Sequence, residues 1–368
     1  MLAVMTSLTA CNASSPKTDP TPPGACNQLA AAGTWESISP PAVSLEATFK
    51  TPAGDNFGDH SFAIDPQNSA IVYLGTSAQG IYKSTDCGST WTHINTGRNA
   101  AELDGGRQWN FLIDPIDPNV LYTNSGYGTA AAYKSTNGGV DWDLFVDPAY
   151  SKALQFGSFV HMITLDPSDH LHLIVTPHFA CEPGQGPGGL PKTDRCLLET
   201  KDAGATWRIV ENTPSAGEGQ GQWMVDSMTW FWAASFDGLW RTTNGGVSWD
   251  HVYTGGYATM GWFSPDHNAH LYTGGVFNVL GSTDGNTWTQ IDKSPGIEWV
   301  TGDATTLYGS RNGFYQTASV SDPTAWTMLP TPFSDPANVL GWGLKYDADH
   351  HLLYSLNSRS GFWRMVTR

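Results

Sequence analysis

The sequence predicts an all-β fold of seven consecutive, four-stranded antiparallel units. Three observations support this prediction. A turn-forming stretch recurs five times along the chain. A pattern of four short strands recurs around these copies, and a period of this length is typical of propellers or solenoids. The chain of 368 residues also contains 40 glycines and only 14% charged residues, which favours a large β-domain with many turns.

The recurring stretch has the pattern S/T-x-D/N-x-G-x-T/S-W. Its copies occupy residues 84–91, 135–142, 200–207, 242–249 and 282–288, and the last copy is one residue shorter. The Asp or Asn side chain can accept hydrogen bonds from backbone N–H groups a few residues later. The glycine supplies a backbone conformation that other residues resist, and the tryptophan can cover the turn with an apolar face. We therefore expect these residues to hold β-hairpins rather than to perform chemistry.

Each unit reads as four strands, named a to d, separated by turn residues. In the first unit they lie at 61–66, 71–76, 80–84 and 91–94. In the later units, strand a begins at Asn110, Met162, Trp223, Gly261, Trp299 and Gly343. The seventh unit lacks strand d, whereas residues 33–38 form a d-type strand at the start of the chain. This N-terminal strand is predicted to complete the last unit, which would remove an open sheet edge.

The recurring turn resembles the Asp-box (BNR) repeat of sialidase-like β-propellers, and the resemblance extends over residues 33–368. It implies that the seven units close into a seven-bladed ring. Sialidases of this group have six blades and an R-I-P motif near the start, which this sequence lacks. The chain is more similar to the seven-bladed propellers of xyloglucan hydrolases. Those enzymes place two propellers across a cleft, and each propeller contributes a catalytic Asp.

The net charge of -16 excludes some partners. No basic patch is present to neutralise phosphates, so nucleic acid is not an expected partner. An anionic membrane surface is excluded for the same reason. No stretch is long enough to span a bilayer, so the membrane is expected to be a partner only through a lipid anchor.

The N-terminus resembles a bacterial lipoprotein signal. Residues 8–11 match a lipobox, and Cys11 would become the lipidated residue, although residues 1–10 are short and contain no Lys or Arg. Residues 11–32 are predicted to form a Ser/Thr/Pro-rich tether, and residues 33–368 the propeller. The protein is therefore expected outside the cytoplasm, anchored to the bacterial cell envelope or secreted, as a monomer.

The other four cysteines are predicted to form two disulfides. Cys181 and Cys196 bracket a Gly/Pro-rich insertion in the third blade, and their bond would staple a long loop. In the implied ring, Cys26 precedes the closing strand, and Cys87 lies on the neighbouring c–d turn. A Cys26–Cys87 bond would lock the ring. Unpaired or metal-binding cysteines are the alternative, but the spacings match no zinc pattern.

One end of the ring is predicted to carry the functional site. Long d–a and b–c loops gather there, and strand a opens onto this end around the central channel. Five residues before the end of each strand a, one ring of positions contains His60, Trp109, His161, Gly221, Thr259, Glu298 and Trp342. Asp59, Arg107, Gln108, Gln222 and Trp299 flank this ring. Single members of such a set are more often structural, but the whole cluster suggests a ligand site.

A carbohydrate is the predicted ligand. The tryptophans would stack on sugars, and Arg107, Trp109, Gln222, Trp299 and Trp342 are the predicted ligand-binding residues. For a glycoside hydrolase, Asp59 and Glu298 are the candidate acids. For a polysaccharide lyase acting on uronates, His60 or His161 would be the base, with an arginine or glutamine to neutralise the carboxylate.

Two non-catalytic interpretations remain open. The protein could be a binding lipoprotein, or an assembly scaffold similar to the photosystem assembly propeller, which carries no active site. No cofactor is predicted. A metal could be bound by Asp59, His60, His161 and His178, but no spacing motif requires one, so no metal site is assigned.

Overall fold

The computed structural model describes residues 26–46, 57–128, 131–153, 160–177, 197–214, 221–234, 237–255, 261–263, 271–274, 279–291 and 296–368. These residues form seven four-stranded antiparallel sheets, which confirms the predicted fold class. Helices are short: α1 (Ala100–Asp104) and α2 (Pro148–Ala153) lie between blades, and a 3-10 turn covers Pro336–Asn338. No helix in the described part of the chain is long and apolar enough to cross a membrane.

Each blade follows the order a-b-c-d from the channel outward. A single N-terminal strand, β1 (Trp35–Ser37), precedes the first blade. Blades 1 and 2 contain β2 (Asp59–Ile64), β3 (Val72–Thr76), β4 (Ile81–Ser84), β5 (Thr92–His93), β6 (Phe111–Ile113), β7 (Leu121–Ser125), β8 (Ala131–Ser135) and β9 (Asp143–Leu144). Blades 3 and 4 contain β10 (Val160–Asp166), β11 (Asp169–Pro177), β12 (Leu197–Thr200), β13 (Arg208–Val210), β14 (Gly221–Met224), β15 (Trp230–Ala234), β16 (Gly238–Thr242) and β17 (Asp250–Tyr253).

The remaining blades repeat this arrangement. Blade 5 contains β18 (Gly261–Phe263), β19 (Leu271–Gly274), β20 (Val279–Ser282) and β21 (Thr289–Gln290). Blade 6 contains β22 (Trp299–Gly302), β23 (Thr306–Arg311), β24 (Phe314–Ser319) and β25 (Asp322–Met328). Blade 7 contributes β26 (Gly343–Asp347), β27 (Leu352–Leu356) and β28 (Phe362–Val366). Each strand a contacts the strand a of the next blade, from β2 around the ring to β26 and back to β2.

The N-terminal strand closes the ring as the sequence predicts. Strand β1 pairs antiparallel with β28, with Trp35 opposite Met365 and Ser37 opposite Trp363. Blade 7 therefore combines one strand from the start of the chain with three from its end. Among the described residues, the pairing leaves no unpaired strand at the junction of blades 7 and 1, so the blades form a closed ring.

The five recurring turns share one hydrogen-bond pattern. In blade 1, the Ser84 hydroxyl accepts a bond from the Gly88 amide at 2.8 Å, and the Asp86 carboxylate accepts the Thr90 amide at 2.8 Å. Equivalent bonds occur in blades 2 to 5. Burial alone would raise the pKa of Asp86, but the hydrogen bonds from Thr90, Ser84 and Ser89 together lower it. These side chains are occupied by their own turns, which agrees with the structural role predicted for them.

The core lies between adjacent blades. In the cluster that joins blades 7 and 1, Phe62 of β2 packs against Phe362 of β28 with ring centroids 4.8 Å apart. Tyr73 stacks on Phe111 across the junction of blades 1 and 2 at 5.4 Å. Burial of one such aromatic side chain contributes about 1.5–3 kcal/mol. The blades are thus held together mainly by apolar packing between their faces.

A disulfide and a buried arginine also stabilise the closure, at the end of the ring that carries the recurring turns. A disulfide joins Cys26 to Cys87, the pair predicted from the sequence. Beside it, the buried Arg364 guanidinium donates to the Cys87 carbonyl at 2.7 Å, to the Gln28 carbonyl at 2.6 Å and to Glu36 at 3.1 Å. Residues 11–32 were predicted to form a tether, but within this range Cys26 and Leu29 belong to the core between blades 7 and 1.

Loss of the disulfide should therefore destabilise the whole ring. The bond closes a loop of 61 residues, for which chain entropy predicts a loss of about 4 kcal/mol. We expect Cys26→Ser to show this loss in equilibrium urea unfolding. Cys26→Ser/Cys87→Ser should be no less stable than the single variant, because both remove the same bond. An unchanged unfolding midpoint in Cys26→Ser would contradict the proposed role of the bond.

Blade 3 contains a buried histidine between two carboxylates. His172 Nδ1 lies 2.8 Å from Asp166, and His172 Nε2 lies 2.8 Å from Glu199. Arg208 and Lys201 also contact the Glu199 carboxylate. Burial alone would lower the pKa of His172, but the bonds to Glu199 and Asp166 outweigh it and raise this pKa above its usual value. The imidazolium is therefore the form that the blade stabilises.

This arrangement predicts a pH dependence of stability. The contribution of a histidine with a raised pKa is complete below the pKa of the unfolded state, about 6.5, and is lost as the pH rises through the folded value. We expect His172→Asn to lower the unfolding free energy by about 3–5 kcal/mol near pH 6. The variant should also lack the loss of stability that the parent shows toward alkaline pH.

Urea unfolding between pH 6 and pH 9 measures both effects. His170→Asn is the matched control, because His170 lies on β11 of the same blade as His172, is half-buried, and contacts the carboxylate of Asp114 in blade 2 at 2.8 Å. If the unfolding free energy changed with pH equally in the parent and in His172→Asn, protonation of His172 could not be the cause of the pH dependence.

Candidate functional site

The starts of the inner strands of blades 7, 1, 2 and 3 bring four rings together. The His60 ring lies 4.6 Å from Trp342 and 6.0 Å from Trp109, and Trp109 lies 4.6 Å from His161. The three contacts are edge-to-face, which is a favoured geometry for aromatic pairs. We call this row, formed by Trp342, His60, Trp109 and His161, the mouth arc. All four members were predicted to share one ring of positions at the channel mouth.

The arc combines buried and accessible groups. His60 is only 4% exposed, whereas Trp342 is 37% exposed. Trp109 and His161 are half-buried. The accessible tryptophan thus contacts a buried imidazole edge-to-face, which places His60 one ring away from a ligand that stacks on Trp342.

Asn124 positions the centre of the arc. This residue is fully buried on β7, and its carbonyl oxygen accepts the Trp109 amide at 2.8 Å. Its amide nitrogen donates to the carbonyls of Val160 and His161, both at 2.8 Å. One side chain therefore holds the backbone of two arc residues from neighbouring blades. The sequence analysis did not identify Asn124. The feature that could have pointed to it is an amide side chain within the buried strand β7.

A bulge places His60. Asp59 is opposite Thr76, and Ser61 is opposite Gly75, so His60 is the extra residue on strand β2. A bulge re-aims the side chains beside it and is frequent near functional sites. Here it turns His60 toward the arc, whereas Asp59 faces the closure of blade 7.

Arg107 lies in a stack of rings and guanidinium groups beside the arc. Its guanidinium carbon is 4.1 Å from the Phe57 ring centroid and 4.7 Å from that of Tyr127. The Arg359 guanidinium lies over the same Phe57 ring at 5.4 Å. Two backbone hydrogen bonds between Arg107 and Gly126, both 2.8 Å, fix the position of the Arg107 backbone. Phe57 and Tyr127 were not predicted, because loop conformation decides this stack.

The electrostatics keep His60 neutral. Burial first, and then the electrostatic effects of the Arg107 guanidinium and of the His161 ring when it is protonated, lower the pKa of His60 to about 3. Its Nδ1 atom has no hydrogen-bond partner within the part of the chain that the structure describes. At neutral pH, His60 therefore presents an unprotonated ring nitrogen next to a positive field.

Asp59 has a different environment from its neighbour. It is 0% exposed and accepts a 2.6 Å bond from the Ser39 hydroxyl behind the closing strand. Burial raises the pKa of Asp59 to about 7, against the opposing effect of Ser39 and the Phe362 amide. The carboxyl group is thus protonated for much of the time at neutral pH but is enclosed. This placement does not favour the predicted role of Asp59 as a catalytic acid in contact with substrate.

The other predicted residues lie farther along the ring. Glu298, at the start of blade 6, is half-buried and 3.9 Å from Arg311. Burial raises the pKa of Glu298 although Arg311 opposes this effect. Trp299 packs against the core between blades 6 and 7. Gln222 is buried on β14 and donates to the Ile174 carbonyl at 3.2 Å. It therefore joins blades 3 and 4 instead of facing a ligand at the channel mouth.

Some predictions cannot be placed. Cys11, Cys181, Cys196, His178 and Thr259 lie outside the described residues. Among the described residues, one set of three potential metal ligands converges, namely Cys26, Cys87 and His350. Its two cysteines form the disulfide and so provide no thiolate.

The arc predicts a measurable coupling between Arg107 and His60. We expect Arg107→Met to raise the pKa of His60 from about 3, because one of the two charges that depress it is removed. The rise should be partial, since burial is the larger cause. NMR titration of the imidazole resonances measures the value. Arg98→Met, which removes an exposed arginine paired with Asp143, is the control and should leave His60 unchanged.

An unchanged His60 pKa in Arg107→Met would show that the guanidinium does not act on the histidine. A rise of the same size in Arg98→Met would attribute the effect to total charge instead of to the arc.

Comparison with known proteins gives distant relatives. No protein-family model matches the chain. The chain is 23% identical to a xyloglucanase of Paenibacillus sp. over 283 residues, which are 68% of this chain and 25% of that protein. It is 25% identical to a xyloglucanase of Acetivibrio thermocellus over 236 residues, 55% of this chain and 26% of that protein. The chain thus spans about a quarter of the length of these relatives.

Solved structures share the fold. A GH74 enzyme of Niastella koreensis superposes with a TM-score of 0.62 at 17% identity, over 88% of this chain and 53% of that one. YCF48 bound to D1 peptide gives 0.62 at 12% identity, over 92% and 99%. The extracellular domain of a two-component system protein of B. thetaiotaomicron gives 0.62 at 12%, over 85% and 40%. The chain is therefore a seven-bladed β-propeller similar to those of xyloglucanases and of extracellular domains.

Proposed function

We propose that this propeller acts on a polysaccharide outside the cytoplasm and binds it across the mouth arc. The observation that carries the proposal is the arc itself, in which an accessible tryptophan covers a buried, neutral histidine. Ligand sites commonly combine aromatic walls with a few converging polar groups. The distant xyloglucanases support a glycan as the ligand. The Cys26–Cys87 disulfide supports an oxidising compartment.

Glycoside hydrolysis is the first candidate reaction. Such enzymes need a carboxylic acid that stays protonated and a second carboxylate. Glu298 fits the first role, because it is partly accessible and burial raises its pKa. Asp59 was the predicted partner, but it could reach a substrate only if its contact with Ser39 opened. We therefore assign the acid role to Glu298. Asp59 remains the candidate for the second carboxylate, and it is the less favoured of the two because it is enclosed.

Elimination on a uronate-containing glycan is the second candidate, and one observation favours it. A lyase needs an unprotonated base and a positive group that stabilises charge developing on the uronate carboxylate. His60 is neutral, and the charge of Arg107 is close enough to depress its pKa. In this mechanism, the half-buried His161 imidazole takes the proton next to the carboxylate, the glycosidic C–O bond on the adjacent carbon breaks, and the departing oxygen takes up a proton from water. His60 Nδ1 is buried, so it could act as the base only if the arc opened.

One assay separates these reactions. The purified chain is incubated with neutral and with uronate-containing polysaccharides, beside Glu298→Gln, His60→Gln and Trp342→Ala. Elimination creates an unsaturated end that absorbs in the ultraviolet, whereas hydrolysis creates only a reducing end. Trp240→Ala is the matched control, because this half-buried tryptophan lies on β16 of blade 4, which contributes no residue to the arc.

We expect turnover that falls about 100-fold or more in the variant lacking the active acid or base. Trp342→Ala should weaken glycan binding, and Trp240→Ala should behave as the parent. Binding that needs Trp342 without any turnover would leave a non-catalytic glycan binder. The absence of both binding and turnover would refute the proposal and favour a scaffold, for which YCF48 bound to a peptide is a structural precedent.

A further inference from the structure

A lysine occupies the wall of the central channel below the mouth arc. In six blades, strand a leads into an aspartate that accepts the backbone amide two residues later. These aspartates fix a common register, and the residue two positions before each one lies at the same level of the channel. The residues at this level are Ala63, Leu112, Thr164, Met224, Thr301 and Lys345. Lys345 of β26 is the charged member among them.

Side chains at this level lie against the next blade. The Thr164 hydroxyl donates to the Gln222 carbonyl of blade 4 at 3.1 Å, and the Thr301 hydroxyl accepts the Tyr346 amide of blade 7 at 3.2 Å. Lys345 follows the same direction, since its ammonium lies 5.2 Å from the Phe62 ring centroid of blade 1. The side chain is enclosed by protein and yet keeps some accessible surface. β26 is the innermost strand of its blade, so Lys345 borders the channel.

No described residue neutralises this ammonium. Within the described part of the chain, Lys345 has neither an ion pair nor a hydrogen-bond acceptor, and its contact is the Phe62 face. Other lysines differ: Lys134 donates to the Ala203 carbonyl at 3.0 Å, and Lys201 lies 3.5 Å from Glu199. An isolated buried charge is costly, and burial lowers the pKa of Lys345 to about 8.

The surrounding groups do not replace a counter-ion. On its own strand, the Asp347 carboxylate faces His350 at 2.7 Å and accepts the Asp349 amide. Tyr354 of β27 is opposite Lys345, and its hydroxyl donates to the Cys87 carbonyl at 3.2 Å. Phe62 comes from β2, and Thr301 from β22 is bound to Tyr346. None of these elements directs a negative charge at the ammonium.

We propose that Lys345 forms an anion site in the central channel, which takes one small monovalent anion, either a halide or a carboxylate. The cation is enclosed, borders the channel and has no counter-ion among the described residues, and such a group gains most from an anion that replaces its lost hydration. Phe62 shields the other side and orients the ammonium. This site does not depend on the proposed glycan reaction. A carboxylate could be a free organic acid or could belong to an acidic sugar that enters from the mouth.

The site can be tested with sodium bromide. The line width of the bromide NMR signal is measured with the full chain and with Lys345→Met, Lys345→Arg and Lys83→Met. Lys83→Met is the matched control, because Lys83 also lies over a ring, that of Tyr73 at 5.1 Å, but on β4 in blade 1. Unfolding curves check each variant, and Lys345→Met should be at least as stable as the parent because it removes an unpaired charge.

We expect protein-dependent broadening for the parent, Lys345→Arg and Lys83→Met, and its loss in Lys345→Met. The broadening should also fall as the pH rises through about 8, where Lys345 loses its charge. Displacement of bromide by acetate and by glucuronate would identify a carboxylate site, and displacement by chloride alone a halide site. Broadening that persists in folded Lys345→Met, or that is lost equally in Lys83→Met, would overturn the proposal.

Discussion

Closure of the ring is the constraint on which the rest of the structure depends. Strand β1 from the start of the chain pairs with β28 from its end, and the Cys26–Cys87 disulfide and Arg364 fasten the same junction. The closed ring sets the level of every inner strand. That common level brings rings from blades 7, 1, 2 and 3 into one continuous arc. The arc spans the closing junction, so the site is built across the point that completes the fold.

The site also shows how an acidic chain can create a local positive field. The net charge is -16, yet Arg107 adds to the effect of burial and depresses the pKa of His60 further. Burial acts in opposite directions on the two neighbours in β2: it keeps His60 neutral and keeps a proton on Asp59. Environment, rather than residue type, therefore decides which of them is available as a base at neutral pH.

Periodicity predicted the blades, the closing strand and the level of the mouth arc, because strand register follows directly from a repeated turn. Periodicity could not predict which way a side chain points where the repeat is interrupted. The bulge in β2 separates Asp59 from His60, although the two are adjacent in sequence. Loops that do not repeat bring Phe57 to Arg107, and this contact has no pattern in the sequence. The isolation of Lys345 likewise could not be predicted, because it depends on the described residues of the neighbouring blades placing no carboxylate next to its ammonium.

The central claim is that the mouth arc is a glycan site. The most direct test is a crystal structure of the chain with a bound oligosaccharide taken from the polysaccharide that it binds best. The account predicts a sugar ring stacked on Trp342, with a polar group within hydrogen-bond distance of His60. An oligosaccharide bound instead at the face of the recurring turns, with the mouth arc empty, would contradict it.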